Sequence, residues 1–87
     1  MTSPGLQWFL YILECGDGSF YTGVTNDIER RVAQHNAGKA SRYTRTHLPV
    51  KLVYSERCGT RARALVRERE IKALPRRKKE ALVGGNG

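Results

Sequence analysis

Two tyrosines, an arginine, a histidine and a glutamate carry the chemistry this chain could do. Tyr11 and Tyr21 sit in β-prone runs on either side of a glycine-rich reversal, Arg31 and His35 follow on one helix, and Glu68 lies on a later helix. A guanidinium offers a planar fork of donors that grips a phosphate in a way a lysine cannot reproduce. A lone carboxylate suits one divalent ion, Mg²⁺ or Mn²⁺, which would be held by the carboxylate, waters and substrate phosphate together. A free phenol titrates near roughly 10, so keeping one ionised at pH 7 demands about 3 units, or about 4 kcal/mol, from a metal or cations nearby. Tyr21 is the general-base candidate on that condition, Tyr11 orients water or phosphate, and His35, which needs no such shift, is the competing base. Phosphodiester hydrolysis needs a positioned water, an acceptor for its proton, a cation on the phosphoryl oxygens and help for the leaving oxygen, and these residues offer a candidate for each.

The elements that must position them follow from the apolar pattern. Leu6 to Glu14 is so densely apolar that it suits a strand covered on both faces, central in its sheet. Cys15-Gly16-Asp17-Gly18-Ser19 supplies a tight reversal and Phe20 to Thr25 a second strand, making a hairpin in which Gly23 permits close approach. Asn26 can cap a helix over about Asp27 to Ala37, with Glu29 at the capping-box position and Gly38 ending it in a left-handed turn. On that helix Ile28 and Val32 define the buried stripe, Arg31 and His35 fall beside them, and Arg30 points to water.

Lys39 to Leu48 has no sustained period and reads as a loop in which Lys39, Arg42, Tyr43 and Arg45 can lie along a sugar-phosphate backbone. Pro49 opens a third strand near Val50 to Glu56, with Leu52 and Tyr54 on one side and Val53 and Ser55 on the other. Thr60 can cap a second helix that runs to about Leu74 and stops at Pro75; Ala64, Leu65, Glu68, Ile71 and Lys72 share one face, which sets a carboxylate within an apolar stripe. A short third helix, about Arg76 to Val83, brings Arg76, Arg77, Lys78 and Lys79. With Arg61, Arg63, Arg67 and Arg69 close in sequence, this basic surface is a candidate for nucleic-acid contact, and Lys72, Arg76 and Arg77 are its leading members. Met1 to Gly5 and Gly84 to Gly87 are expected to fray.

Composition agrees with a polyanion partner. The 87 residues make one domain, whose core spans about 6–83, and sixteen Lys and Arg against eight Asp and Glu give a net charge of +8. DNA, or RNA in its place, is the expected partner. The apolar runs are too short for a bilayer span and the start lacks a secretion signal, so the expected setting is the cytoplasm, away from membranes. Cys15 and Cys58 stand apart in sequence and outside any Cys/His cluster, which argues against zinc and for reduced thiols. No obvious dimer surface is legible; a monomer with a targeting protein partner is expected.

Leu10-Tyr11-Ile12, Tyr21-Thr22-Gly23, Arg31 nine residues past Thr22, and helical Glu68 resemble the GIY-YIG nuclease superfamily. From about Leu6 to Leu82 the chain is similar to small single-domain bacterial members, supported by Asp17 to Thr25, His35 to Lys39 and Arg42 to Arg45. The resemblance implies an α+β fold, a three-stranded antiparallel sheet flanked by about three helices. It also implies one divalent cation on Glu68, a phosphate-binding Arg31 and working tyrosines at 11 and 21. The expected activity is metal-dependent endonuclease cleavage of DNA, branched or single-stranded substrates included, with slight sequence specificity, in repair or recombination. Val24 stands where some relatives carry a lysine, which keeps a second reading open: a basic nucleic-acid-binding module without catalysis. Plain structural roles compete for the single residues, Tyr11 as a core tyrosine and Arg31 paired with Glu68 in a salt bridge.

Overall fold

The computed structural model describes residues 7–84; the expected fraying of Met1 to Gly5 and of Asn86 and its neighbours lies outside them, whereas Gly84 closes the last helix. The elements in chain order are β1 (Trp8–Glu14), β2 (Phe20–Thr25), α1 (Ile28–Asn36), α2 (Arg42–Arg45), β3 (Lys51–Gly59), α3 (Arg61–Lys72) and α4 (Arg76–Gly84). The sheet is antiparallel with order β2-β1-β3, so the most apolar strand is central as its composition requires. Leu10, Tyr11, Ile12 and Leu13 are all within 1% of complete burial, a run that only a strand covered on both faces can sustain.

Alternation along β1 divides the core into two layers. Leu10 and Ile12 pack with Ile71 of α3, joined by Leu74, Leu82 and Val83 from the end of α3 and from α4. Tyr11 and Leu13 pack on the other side with Cys15 and Val50, joined by Tyr21 and by Val32 of α1. The catalytic candidates on β1, β2 and α1 therefore grow out of the second layer.

Three local readings are corrected. The N-cap of α1 is Asp27 rather than Asn26: its Oδ1 accepts from Arg30 N at 3.2 Å, and Thr25 Oγ1 accepts from Asp27 N at 3.1 Å and fixes the turn one residue later. Within the expected loop, α2 forms a single turn capped by Ser41, whose hydroxyl accepts from Thr44 N. Four residues are too few to show a helical period. The sides assigned to β3 also fail, because the register against β1 skips Val53 and Cys58. An extra residue breaks the two-residue period, so Val53 and Tyr54 both join the Leu10 layer while Leu52 is 41% exposed. Thr60 caps α3 as its type predicts, accepting from Arg63 N at 3.1 Å, and Gly38 (φ +76°) ends α1 in the left-handed turn.

Candidate active site

Tyr11 is the hub. It stands opposite Gly23 in the β1–β2 register, and its ring crosses the space a side chain at 23 would fill: a Cβ there would lie 2.5 Å from the phenol oxygen and 2.7 Å from Cζ. The close approach that Gly23 makes possible is thus by the protein's own tyrosine. The phenol oxygen, carried across β2, meets His35 Nε2 at 2.9 Å, and the other ring nitrogen, Nδ1, lies 2.7 Å from Thr44 Oγ1. Tyr11, His35 and Thr44 are 1%, 0% and 0% exposed, so the line of polar groups runs wholly inside the protein.

Burial without an acidic neighbour disfavours the imidazolium, and the Arg31 charge adds to the effect, taking the His35 pKa down to about 4. At neutral pH the ring is uncharged and carries a single N–H, so it donates one of its two hydrogen bonds and accepts the other. Burial also pushes the Tyr11 phenol above its ordinary value. The Arg31 guanidinium pulls it back, while the Tyr21 and Glu68 charges push it up. What the geometry brings together directly is Tyr11, His35 and Tyr21. Tyr21 completes the group, half-buried, its ring edge-on to His35 at 5.1 Å between centroids.

Glu68 is mostly covered, its side chain 21% exposed, and pairs with Lys72 Nζ at 3.1 Å rather than with Arg31. Arg31 is tied by Nη1 to Gln34 Oε1 at 3.1 Å, and its Nε is buried without a hydrogen-bond partner. Neither Arg31 nor Glu68 is paired with the other, and among the described residues the one ion-pair partner of Glu68 is the exposed Lys72. Among the described residues no three His, Cys, Asp or Glu side chains cluster for a metal. One carboxylate fits the divalent ions that keep much of their water.

The remaining candidates sort by what already occupies them. Lys39, Arg42 and Arg45 line one polar hollow with Gly38, Ala40 and Ser41, of about 250 Å³. Tyr43 belongs elsewhere: its ring is parallel to Tyr21 (6.3 Å) and stacked on His47 (4.2 Å), and its hydroxyl donates to Ser19 Oγ at 2.6 Å, docking α2 on the hairpin turn beside the site. Arg76 lies over the Phe20 ring at 4.2 Å, donates to Gly18 O at 2.8 Å and pairs with Glu80 at 3.1 Å. Arg77 is exposed on α4.

Sequence reasoning did not single out Thr44 or Asn36. Asn36 clamps α1 to the start of β3 with both ends of its amide, Nδ2 to Val50 O at 2.9 Å and Oδ1 from Val50 N at 2.8 Å. Both lie in stretches that carry the family resemblance, but nothing in their type or spacing shows the partners they meet.

The GIY-YIG catalytic domain matches residues 7–81. The chain belongs to the GIY-YIG family. A UPF0213 protein of Natronomonas pharaonis is 51% identical over 75 residues, covering 86% of this chain and 88% of the relative. Another, from Staphylococcus saprophyticus, is 48% identical over 86% of this chain and 92% of its own. The solution structure of a UPF0213 protein from Bacillus halodurans shares 46% identity at TM-score 0.60, covering 93% of this chain and 86% of that one. A second solution structure, of a protein from E. faecalis, shares 41% identity at TM-score 0.58 over 85% and 79%. The likeness to these solution structures agrees with the α+β build of a three-stranded antiparallel sheet and helices. No helix among the described residues is long and apolar enough to cross a membrane.

Proposed function

We propose that this GIY-YIG domain is a metal-dependent endonuclease that hydrolyses phosphodiester bonds in DNA with little sequence specificity. The observation that carries the reading is the match of the GIY-YIG catalytic domain over residues 7–81, within which the Tyr11 phenol bonds His35 and Tyr21 stands edge-on to that same ring. Arg31 holds the scissile phosphate through its unused donors and balances charge as it builds on the phosphoryl oxygens. Tyr21, partly open to solvent, is placed to take a proton from the attacking water. Tyr11 is buried and bonded to His35; it orients rather than attacks. His35, with both nitrogens engaged and no exposed surface, acts through Tyr11 and does not touch substrate. Glu68 would hold one Mg²⁺ or Mn²⁺, which when bound supplies Lewis-acid polarisation of the phosphate and a water of lowered pKa. Lys39, Arg42 and Arg45 lie along the backbone of the bound strand, with Lys72 and Arg77 as further contacts. The cytoplasm is the expected setting.

A panel of single-stranded, nicked, branched and RNA substrates with Mg²⁺ or Mn²⁺ tests this, with Glu68→Ala and Arg31→Ala beside the wild type. Wild-type product that is lost in both variants and in chelator supports hydrolysis here. Equal cleavage by Glu68→Ala defeats it, since the product then comes from a contaminant. Salt-sensitive binding that survives Glu68→Ala, with no product under any condition, is the signature of a binding module instead.

A further inference from the structure

A second basic cleft opens next to the candidate active site, and Arg31 is common to both. It encloses about 370 Å³ between the start of β1, the end of β2 and the first turns of α1 and α3, and its walls include Trp8, Asn26, Asp27, Arg30, Arg31 and Arg61. Three guanidiniums face one carboxylate, and that carboxylate, Asp27, is already engaged as the cap of α1. Among the described residues none of Arg30, Arg31 and Arg61 has an acidic partner within ion-pair distance, in contrast to Arg67, which pairs with Glu56 and Glu70, and Arg76, which pairs with Glu80. The Arg61 guanidinium carbon lies over the Trp8 ring, 5.6 Å from the centroid. A guanidinium attracted to an aromatic ring keeps N–H donors that can serve an anion.

Like charges gathered without counter-charges are unfavourable for the protein alone and favourable once an anion enters. We propose that this cleft binds a second phosphodiester of the substrate strand, beside the one held at the active site, with Arg30 and Arg61 as its counter-charges and Arg31 bridging the two. The proposal rests on the reading of the neighbouring site as one that takes a nucleic-acid strand. It makes the domain a reader of at least two successive phosphates, so that its ligand is a polynucleotide and not a free nucleotide. It also gives a purpose to Arg30, which helical geometry turns away from the tyrosines.

The test is binding of a labelled single-stranded or duplex oligonucleotide in chelator, where no cleavage interferes, over a range of salt. Arg30→Ala, Arg61→Ala and the double variant are compared with Lys51→Ala, an exposed lysine of equal charge at the far end of β3, off the cleft. Each cleft variant is expected to lower the slope of log affinity against log salt by about 1, uniformly across sequences, with the double variant near the sum, while Lys51→Ala leaves the slope unchanged. All three substituted positions are exposed, so folding is preserved. Equal losses at Lys51 and at the cleft would overturn the proposal by showing diffuse attraction, and so would unchanged slopes in both cleft variants. A slope difference that persists in a protein yielding no product supports the cleft while the nuclease reading fails; product without the difference does the reverse.

Discussion

Gly23→Ala is the substitution on which this architecture can be tested most severely, because the sign of its effect is at stake. Gly23 lies within β2 and its φ is not in the left-handed region, so the backbone alone would welcome alanine: fewer unfolded conformations would stabilise the protein by about 0.4–1 kcal/mol. The Tyr11 ring reverses that expectation. A Cβ at 23 would sit 2.5 Å from the phenol oxygen and 2.7 Å from Cζ, and a residue 1% exposed has nowhere to retreat without breaking its bond to His35. Overpacking of a tight site costs typically about 1–3 kcal/mol, and loss of a buried hydrogen bond adds about 1 kcal/mol. A net destabilisation of about 2–3 kcal/mol follows, or a fall in Tm of roughly 8–24 °C for a domain of this size.

The assay is urea unfolding of four proteins: wild type, Gly23→Ala, Tyr11→Leu and the double variant. Leucine ends short of the ring positions that collide, so in its presence Gly23→Ala should cost nothing or stabilise slightly, giving a coupling of about 2 kcal/mol or more. The same cost in both backgrounds, or a stabilised Gly23→Ala, would refute the claim that the tyrosine ring is why position 23 is glycine.

The other expectations concern the groups behind and around that ring. Stability should fall with acid between pH 6.5 and pH 4: the unfolded histidine takes a proton near 6.5 while His35 resists until about 4, so in that window the unfolded state binds more protons, and about 3 kcal/mol is lost in total. Chemical denaturation against pH measures it, and His35→Gln should flatten the curve there. Thr44→Val leaves His35 Nδ1 without its partner and should cost about 1–3 kcal/mol, with a changed ring ¹⁵N shift, whereas Thr44→Ser retains both. Arg76→Ala should lower stability by about 1–2 kcal/mol through its lost contacts with Phe20, Gly18 and Glu80, with less effect on oligonucleotide affinity than Arg77→Ala, measured by unfolding and binding on the same samples.

Most of the scaffold was legible because its signals are local. The apolar block at Leu10 to Leu13, the glycine-rich reversal, the Thr60 cap and the left-handed Gly38 each announce an element within a few residues. Helical geometry also separated Arg31, partly buried, from exposed Arg30. What escaped depends on partners distant in the chain. The skipped residues at Val53 and Cys58 are a property of how β3 fits β1, and no pattern within β3 alone reveals them. Arg76 looks like one of four equivalent basic residues until Phe20 and Gly18 are brought under it. The α1 cap was missed by one residue because Asn26 and Asp27 are equally good caps by type, and Thr25 decides between them.

The candidate site divides along the same line. Residue types and spacing named Tyr11, Tyr21, Arg31, His35 and Glu68, but not what each can reach. His35 is as deeply buried as any core residue, and the reason is its hydrogen bonding: a neutral imidazole satisfied at both nitrogens can enter the interior at little cost, while one charged or left without partners could not. Burial of the Gly23, Tyr11, His35 and Thr44 series then ties the placement of the phenol to the packing of β1, β2, α1 and α2. Loosening any one of the four should therefore disturb the tyrosine before it unfolds the sheet. Variants along this series should thus lose any tyrosine-dependent activity at temperatures well below their melting points, whereas substitutions of equal cost in the Leu10 and Ile71 layer should lose activity only on melting.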